Sequence, residues 1–337
     1  MSPWKSFRHR LERRGLELLA WVIPRLSRRQ CVKLGLVLGD LAYALDGRGR
    51  AVARANLECA FGERCAPAQR RKIMRASYRN FARTMLDLFW AQNLTPANFH
   101  HYLRLEGFEA LRERHARSPG GSIAIGVHQG NWEWANLACG FAGWPAIVVT
   151  ENFKNPLLTE IFNSLRGVSG NTMIPQENSM LRLLKSVKRG SATGMLLDLS
   201  LHPAQAATII EGFGLKMCVT VLHAILAHRA GTLLIPIETA PLPDGTCRVI
   251  AHPPVEWPAG ASSHEIAQHC WDVFEPILRA NPHGWLWPYK HFRYRPRSAT
   301  RSYPAYANDS PEFEKLLRSA TGLISDLSRP AAPPARK

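Results

Sequence analysis

The 337-residue sequence contains no Cys-x-x-Cys pair, no His-Glu-x-x-His and no Gly-x-Ser-x-Gly. The first absence leaves seven cysteines, an odd number, scattered at Cys31, Cys59, Cys65, Cys139, Cys218, Cys247 and Cys270. They read as reduced thiols in a cytosol-facing protein rather than as a metal or redox site. The other two absences remove the usual helical zinc site and the usual serine nucleophile. No apolar run reaches the roughly 20 residues that a spanning helix needs. The two near the start, 16–24 and 34–45, are short and flanked by Arg25, Arg28 and Arg29, so they read as helices lying in a membrane interface. The basic start (Lys5, Arg8, Arg10, Arg13, Arg14) is not followed by the cleavage pattern of a secretory leader. Acidic residues are also scarce: 26 Asp+Glu face 43 Lys+Arg, a formal charge of +17. That imbalance favours an anionic partner such as acidic lipid, an acidic carrier protein or nucleic acid. No internal repeat is visible.

What is present is a 46% hydrophobic chain, enough for one large domain on a real core. Residues 1–118 read as a helical, membrane-associating region, with 71–94 apolar at helical spacing. Pro119-Gly120-Gly121 breaks the pattern. Strand-like runs follow at 122–127, 146–150, 193–197, 207–211, 233–238 and 248–251. Helical stretches lie between or after them at 131–141, 157–166, 180–189, 217–229 and 263–279. Strands alternating with helices predict an α/β fold over 119–297, a mostly parallel central sheet flanked by helices. Residues 298–337 form an appendix, a helix at 311–327 and a Pro/Ala-rich tail.

The sharpest local feature is His128-Gln129-Gly130-Asn131-Trp132-Glu133, between a strand and a helix. Backbone donors converge at such turns in α/β folds. His128 and Glu133 lie too far apart around one helix to meet. They meet if His128 sits in the turn and Glu133 in the first helical turn, with Gly130 supplying the bend and Asn131 the N-cap. A histidine backed by a carboxylate is a general base. With no partner nucleophile in the chain, the simplest chemistry deprotonates a substrate hydroxyl for attack on a thioester. The plainer reading is a buried structural histidine, and on one His-x-x-x-x-Glu alone that reading prevails.

The stretch resembles the His-x-x-x-x-Asp/Glu motif of the lysophospholipid acyltransferase superfamily. It is closer still to the bacterial lipid A biosynthesis (lauroyl/myristoyl) acyltransferase family. The likeness runs through ordered blocks over roughly 15–297. These are Arg54-Ala55-Asn56-Leu57 with Ala60-Phe61; Asn155-Pro156-Leu157 with Leu165-Arg166 and Gly170; Leu184-Lys185 with Lys188, Gly190 and Asp198; Phe213-Gly214 with Thr220 and Leu234-Ile235-Pro236; and Trp285-Leu286-Trp287 before Lys290-His291-Phe292-Arg293 and Arg295-Pro296. The chain departs from the family at Glu151, Leu199, Leu215 and Lys290, which in the family face the acceptor or help to form the site.

The resemblance implies transfer of a fatty acyl group from an acyl-carrier-protein or CoA thioester to a hydroxyl of a lipid A precursor or related glycolipid; the alternatives are acyl or aminoacyl transfer to another membrane lipid, or a catalytically idle membrane- or nucleic-acid-binding homologue. It implies no resident cofactor and no metal. The implied partners are acyl-carrier protein, an anionic glycolipid acceptor and a membrane surface, with no nucleic acid. The implied place is the cytoplasmic face of the bacterial inner membrane. His128 and Glu133 are the expected catalytic pair, and Asn131, Arg166, Asp198, Phe213, Gly214, Lys290 and Arg293 the expected substrate-binding residues. Taken alone, Phe213 reads as core packing, while for Arg166 a surface ion pair, and for Asp198 a cap, stand even with the substrate-side role. Aromatics interleaved with basic residues over 289–297 suit lipid head groups, with nucleic-acid bases the competing ligand.

Overall fold

A computed structural model describes residues 3–117, 121–150, 153–177 and 179–320. The Glu151 departure and the segment 321–337 therefore lie outside the described residues. Four helices come first: α1 (Pro3–Val22), α2 (Arg28–Leu45), α3 (Gly47–Phe61) and α4 (Pro67–Trp90). Local chemistry starts them. Ser27 forms a capping box with Gln30 ahead of α2, and Pro67 opens α4 where its missing N–H costs nothing. α2 and α4 pack closely because Gly39 has no side chain. A Cβ there would lie 2.4 Å from the Arg79 Cα.

The α/β body follows as β1 (Leu103–Glu106), α5 (Phe108–Arg117), β2 (Ser122–Gly126), α6 (Trp132–Phe141), β3 (Ala146–Thr150), α7 (Pro156–Arg166), β4 (Thr172–Pro175), α8 (Ser179–Lys188) and β5 (Ala192–Leu196). Then come β6 (Ala207–Gly212), β7 (Leu215–Thr220), α9 (Leu222–Ala230), β8 (Leu233–Pro241), β9 (Cys247–Ala251), α10 (Ser263–Ala280) and α11 (Pro311–Ala320). Seven strands form the main sheet in the order β1-β9-β8-β2-β5-β3-β4, and only the β8–β9 pair is antiparallel. The mostly parallel sheet flanked by helices is thus as the sequence predicts. β6 and β7 make a separate hairpin.

Three details differ from the sequence reading. β1 lies within the stretch expected to be helical. With β4 it was missed because four residues carry too little alternation to register. The expected helix at 217–229 is β7 as far as Thr220, and helix only from Leu222. The hairpin decides this. Phe213 and Gly214 both have positive φ (55° and 73°), the backbone that a tight I′ turn requires. The following residues are thereby paired with β6.

Ile123, Ile125 and Val127 face one large buried cluster, with Trp271, Phe274, Trp285 and Trp287. The opposite face of the sheet meets a second cluster that holds Trp134, Leu137 and Ala138 of α6 and Leu86, Phe89 and Trp90 of α4. Each buried side chain of this size contributes roughly 1.5–3 kcal/mol. Among the described residues no helix is long and apolar enough to cross a membrane. α1 nonetheless exposes Trp4, Phe7, Leu11, Leu18 and Trp21, and α2 exposes Val37, Leu41 and Leu45.

Candidate active site

His128 stands just beyond the carboxyl end of β2, where parallel strands open towards ligands. Its turn is tightly tied. Gly130 has φ +62°, and a Cβ there would lie 2.2 Å from the Thr239 carbonyl oxygen. The Gly130 carbonyl accepts from Asn80 Nδ2 (2.8 Å) and Thr84 Oγ1 (3.0 Å), both on α4. Thr239 of β8 donates to the Gln129 carbonyl (3.0 Å) and accepts from the Asn131 N–H (2.8 Å). The closing aromatic segment bridges to the same turn, with the Leu286 N–H donating to the His128 carbonyl at 3.0 Å.

Asp198, just past β5, supplies the carboxylate behind the imidazole. Its Oδ1 lies 2.8 Å from His128 Nδ1, and its Oδ2 accepts from the His128 N–H (2.9 Å) and from Trp285 Nε1 (2.7 Å). One carboxylate therefore holds both the backbone and the ring of the same histidine. The acceptor at Nδ1 fixes the tautomer that leaves Nε2 as the basic nitrogen. Nε2 has no partner among the described residues, and His128 lines a cavity. Burial would push the Asp198 carboxyl up. The charge and hydrogen bond of His128, helped by His291 and Trp285, outweigh it and hold the group at about 2. His291 stacks on Trp285 with ring centres 3.8 Å apart, and burial pushes it down to about 4. The ring that backs the pair is thus a neutral one at ordinary pH.

Glu133 occupies the first turn of α6, as the sequence predicts, but it does not take the orienting hydrogen bond expected of it. Both of its oxygens are bound by Arg166 at the end of α7, at 2.9 Å to Nε and 2.6 Å to Nη2. The reason is directional. The α6 dipole and the Arg166 guanidinium draw the carboxylate to its own helix end, while Asp198 already fills the Nδ1 side. His128, Glu133 and Arg166 all line the one cavity, so the structure does bring them together.

The other expected contacts are placed as follows. Asn131 caps α6, accepting from the Trp134 N–H (3.1 Å) and donating from Nδ2 to Asp87 (2.9 Å). It is wholly buried, so it supports the turn rather than a substrate. Phe213 lies in the core, stacked at 5.4 Å on Trp285, and Gly214 completes its hairpin turn. Neither lines the cavity of His128, because the β6–β7 turn lies behind the tryptophans. Lys290 lies over Tyr306 and Arg293 over Tyr289, at 5.1 and 5.9 Å, also outside that lining. Leu199 does line it.

The cavity measures about 1050 Å³ and lies between α6 and the sheet. Small residues create it. Ala124, Gly194 and Val148 stand in register across β2, β5 and β3, and Ala135, Asn136 and Cys139 of α6 also line the space. Its walls are mainly apolar, with the charged and polar groups of His128, Glu133, Arg166, Lys154 and Gln176 among its lining. Among the described residues no cluster has the make-up of a metal site.

Sequence reasoning missed Asn80, Thr84, Asp87 and Thr239, which hold the turn, and it named Trp285 in the closing block without foreseeing its bond to Asp198. Asp87 is fully buried, 2.8 Å from Arg28 and 3.5 Å from Arg83. Burial pushes its carboxyl up against the pull of those two guanidiniums. The available signal was the spacing: Asn80, Thr84 and Asp87 recur at i, i+4 and i+7, a polar stripe on the inward side of α4.

A histidine at the carboxyl end of the central strand, held by a buried carboxylate beside a large, mainly apolar cavity with a paired guanidinium, has the make-up of an α/β enzyme's active site. A family model described as bacterial lipid A biosynthesis acyltransferase matches residues 15–294, and the chain belongs to that family. It is an acyltransferase of lipid A and lipopolysaccharide biosynthesis type. A comparison with curated proteins found no match.

Proposed function

We propose that this enzyme transfers a fatty acyl group from a carrier-protein or CoA thioester to a hydroxyl of a lipid A precursor or a related anionic glycolipid. The observation that carries the reading is His128, its Nδ1 tied to Asp198 and its Nε2 without a protein partner, in the wall of the cavity. Nε2 takes the hydroxyl proton as the oxygen attacks the thioester carbonyl carbon. The C–S bond then breaks, and the imidazolium returns the proton to the departing thiolate. Asp198 stabilises the transient imidazolium without itself taking the proton. The apolar cavity receives the acyl chain. Glu133 holds Arg166, whose guanidinium faces the anionic part of the acceptor. Leu199, where the family carries a polar residue, makes that wall apolar and favours an acceptor with less polar surface there.

The working place is the cytoplasmic face of the bacterial inner membrane. The exposed apolar stripe of α1, Trp4, Phe7, Leu11 and Leu18, supports an interfacial helix rather than a spanning one.

The test is acyl transfer to a bacterial lipid extract in detergent, with the product read by mass. His128→Ala lowers kcat at least 10³-fold, and Asp198→Asn lowers it 10²- to 10⁴-fold by releasing the tautomer. Glu133→Gln acts mainly on the KM of the acceptor. Transfer unchanged in His128→Ala overturns the reading. If Glu133→Gln matches His128→Ala while Asp198→Asn stays near wild type, the orienting role returns to Glu133.

A further inference from the structure

Helix α8 carries its charge on one side only. Leu181, Arg182, Lys185, Lys188 and Arg189 recur at i, i+1, i+4, i+7 and i+8, which a 3.6-residue period gathers into one outward arc. All five are exposed, Leu181 at 65%, while Leu183 and Val187 face the core. Some exposed cations elsewhere have carboxylate partners, as where Arg75 and Arg79 share Asp40 and Arg248 binds Glu106. Arg182, Lys185 and Lys188 of α8, and Arg189 just past its end, have none among the described residues. The same helix leads to the site. Gln176, Ser179 and Met180 at its start line the cavity of His128, and so does exposed Lys154.

We infer that this face of α8 docks an acidic carrier protein that delivers the acyl thioester into the cavity. The inference rests on the acyl-transfer reading above. The occupant follows from charge and shape. Four unpaired cations steer and hold a carboxylate-rich surface, and one exposed leucine among them gives the apolar anchor of a small protein interface. A bilayer takes up several apolar side chains together, as α1 offers, not one leucine between four charges. The phosphates of CoA are gathered by a concave site, whereas this is the outer surface of a helix.

The experiment measures binding and turnover separately on the full chain. Binding of a fluorescent fatty-acyl carrier protein is followed by anisotropy, without acceptor. Turnover is compared between that donor and the same acyl group on pantetheine alone. The triple variant Arg182→Glu, Lys185→Glu and Arg189→Glu raises the Kd and the carrier-thioester KM at least tenfold. Its rate with acyl-pantetheine stays within twofold of wild type. Raising the salt from 50 to 300 mM abolishes most of the difference between wild type and variant. Leu181→Asp, which removes no cation, also raises the Kd. The inference is overturned if the wild type does not bind the carrier, if the Kd does not change, or if both donors lose activity equally. It is also overturned if only acyl-CoA turnover or binding to anionic vesicles is lost. A wild type that binds the carrier but transfers nothing leaves the docking face standing and removes the acyl-transfer reading instead.

Discussion

His223 sits wholly inside the protein on α9, and neither ring nitrogen has a hydrogen-bond partner among the described residues. Burial pushes it down to about 3, and His291 at the site is pushed down to about 4. Both are therefore neutral when folded and protonated when unfolded over the window from about 6.5 down to their folded values. There the unfolded chain binds more protons, so stability rises with pH and falls on acidification. Each contributes on the order of a few kcal/mol to that acid loss. Replacing His223 by Leu removes a buried polar group with no partner. We expect a Tm raised at pH 7 and a visibly flatter fall between pH 6.5 and 4, measured by circular dichroism. A Tm curve parallel to wild type across that range counts against the assignment. His291 is a poorer test because its Nε2 lies 2.9 Å from the Leu286 carbonyl and its ring backs Trp285.

Helix α4 does for the site what β2 alone cannot. Its polar stripe grips the Gly130 carbonyl and the cap of α6, and Asp87 joins Arg28 of α2, Arg83 of α4 and Asn131 in one buried cluster. Truncating Asp87 to Ala strands two buried guanidiniums, so a loss of about 3–5 kcal/mol is expected in urea unfolding. A loss below about 1 kcal/mol shows that the cluster is replaceable. The elements that patterning announces are those with enough residues to repeat. β2, β3, β5 and α6 through α10 are legible, and so is the strand–turn–helix at His128. β1 and β4 are too short, and β7 was mistaken because its apolar run continues into α9 without a break. Asp198 was found as the residue ending a strand, but its partner was not. Only three-dimensional strand order puts β5 beside β2, and local spacing made Glu133 the more visible carboxylate. Arg166 was expected at the acceptor, while its bond to Glu133 is a contact between α7 and α6 that sequence distance hides.

At the scale of the molecule, the exposed face of α1 is set apart from the catalytic body. The α1 stripe of Trp4, Phe7, Leu11 and Leu18 is apolar and exposed, whereas its opposite side packs on α7, where Asn155 donates to the His9 carbonyl at 3.0 Å. Serine at Trp4, Phe7 and Leu11 should lower co-sedimentation with anionic vesicles at least fivefold without moving the Tm by more than about 2 °C. Retained sedimentation would assign membrane contact to α2 instead. The stripe lies outside the buried clusters, so the change separates attachment from folding.

Asn56 near the start of the chain donates to the carbonyls of Trp287 and Tyr289 near its end, at 2.8 and 2.7 Å. Trp285 of that late segment also donates to the carboxylate behind His128. The segment emerges from the ribosome last among the parts of the site, long after α1 is free to reach a bilayer. A nascent chain with α1 already exposed is thus still chemically inert, and it acquires reactivity only once synthesis has passed the final tryptophans.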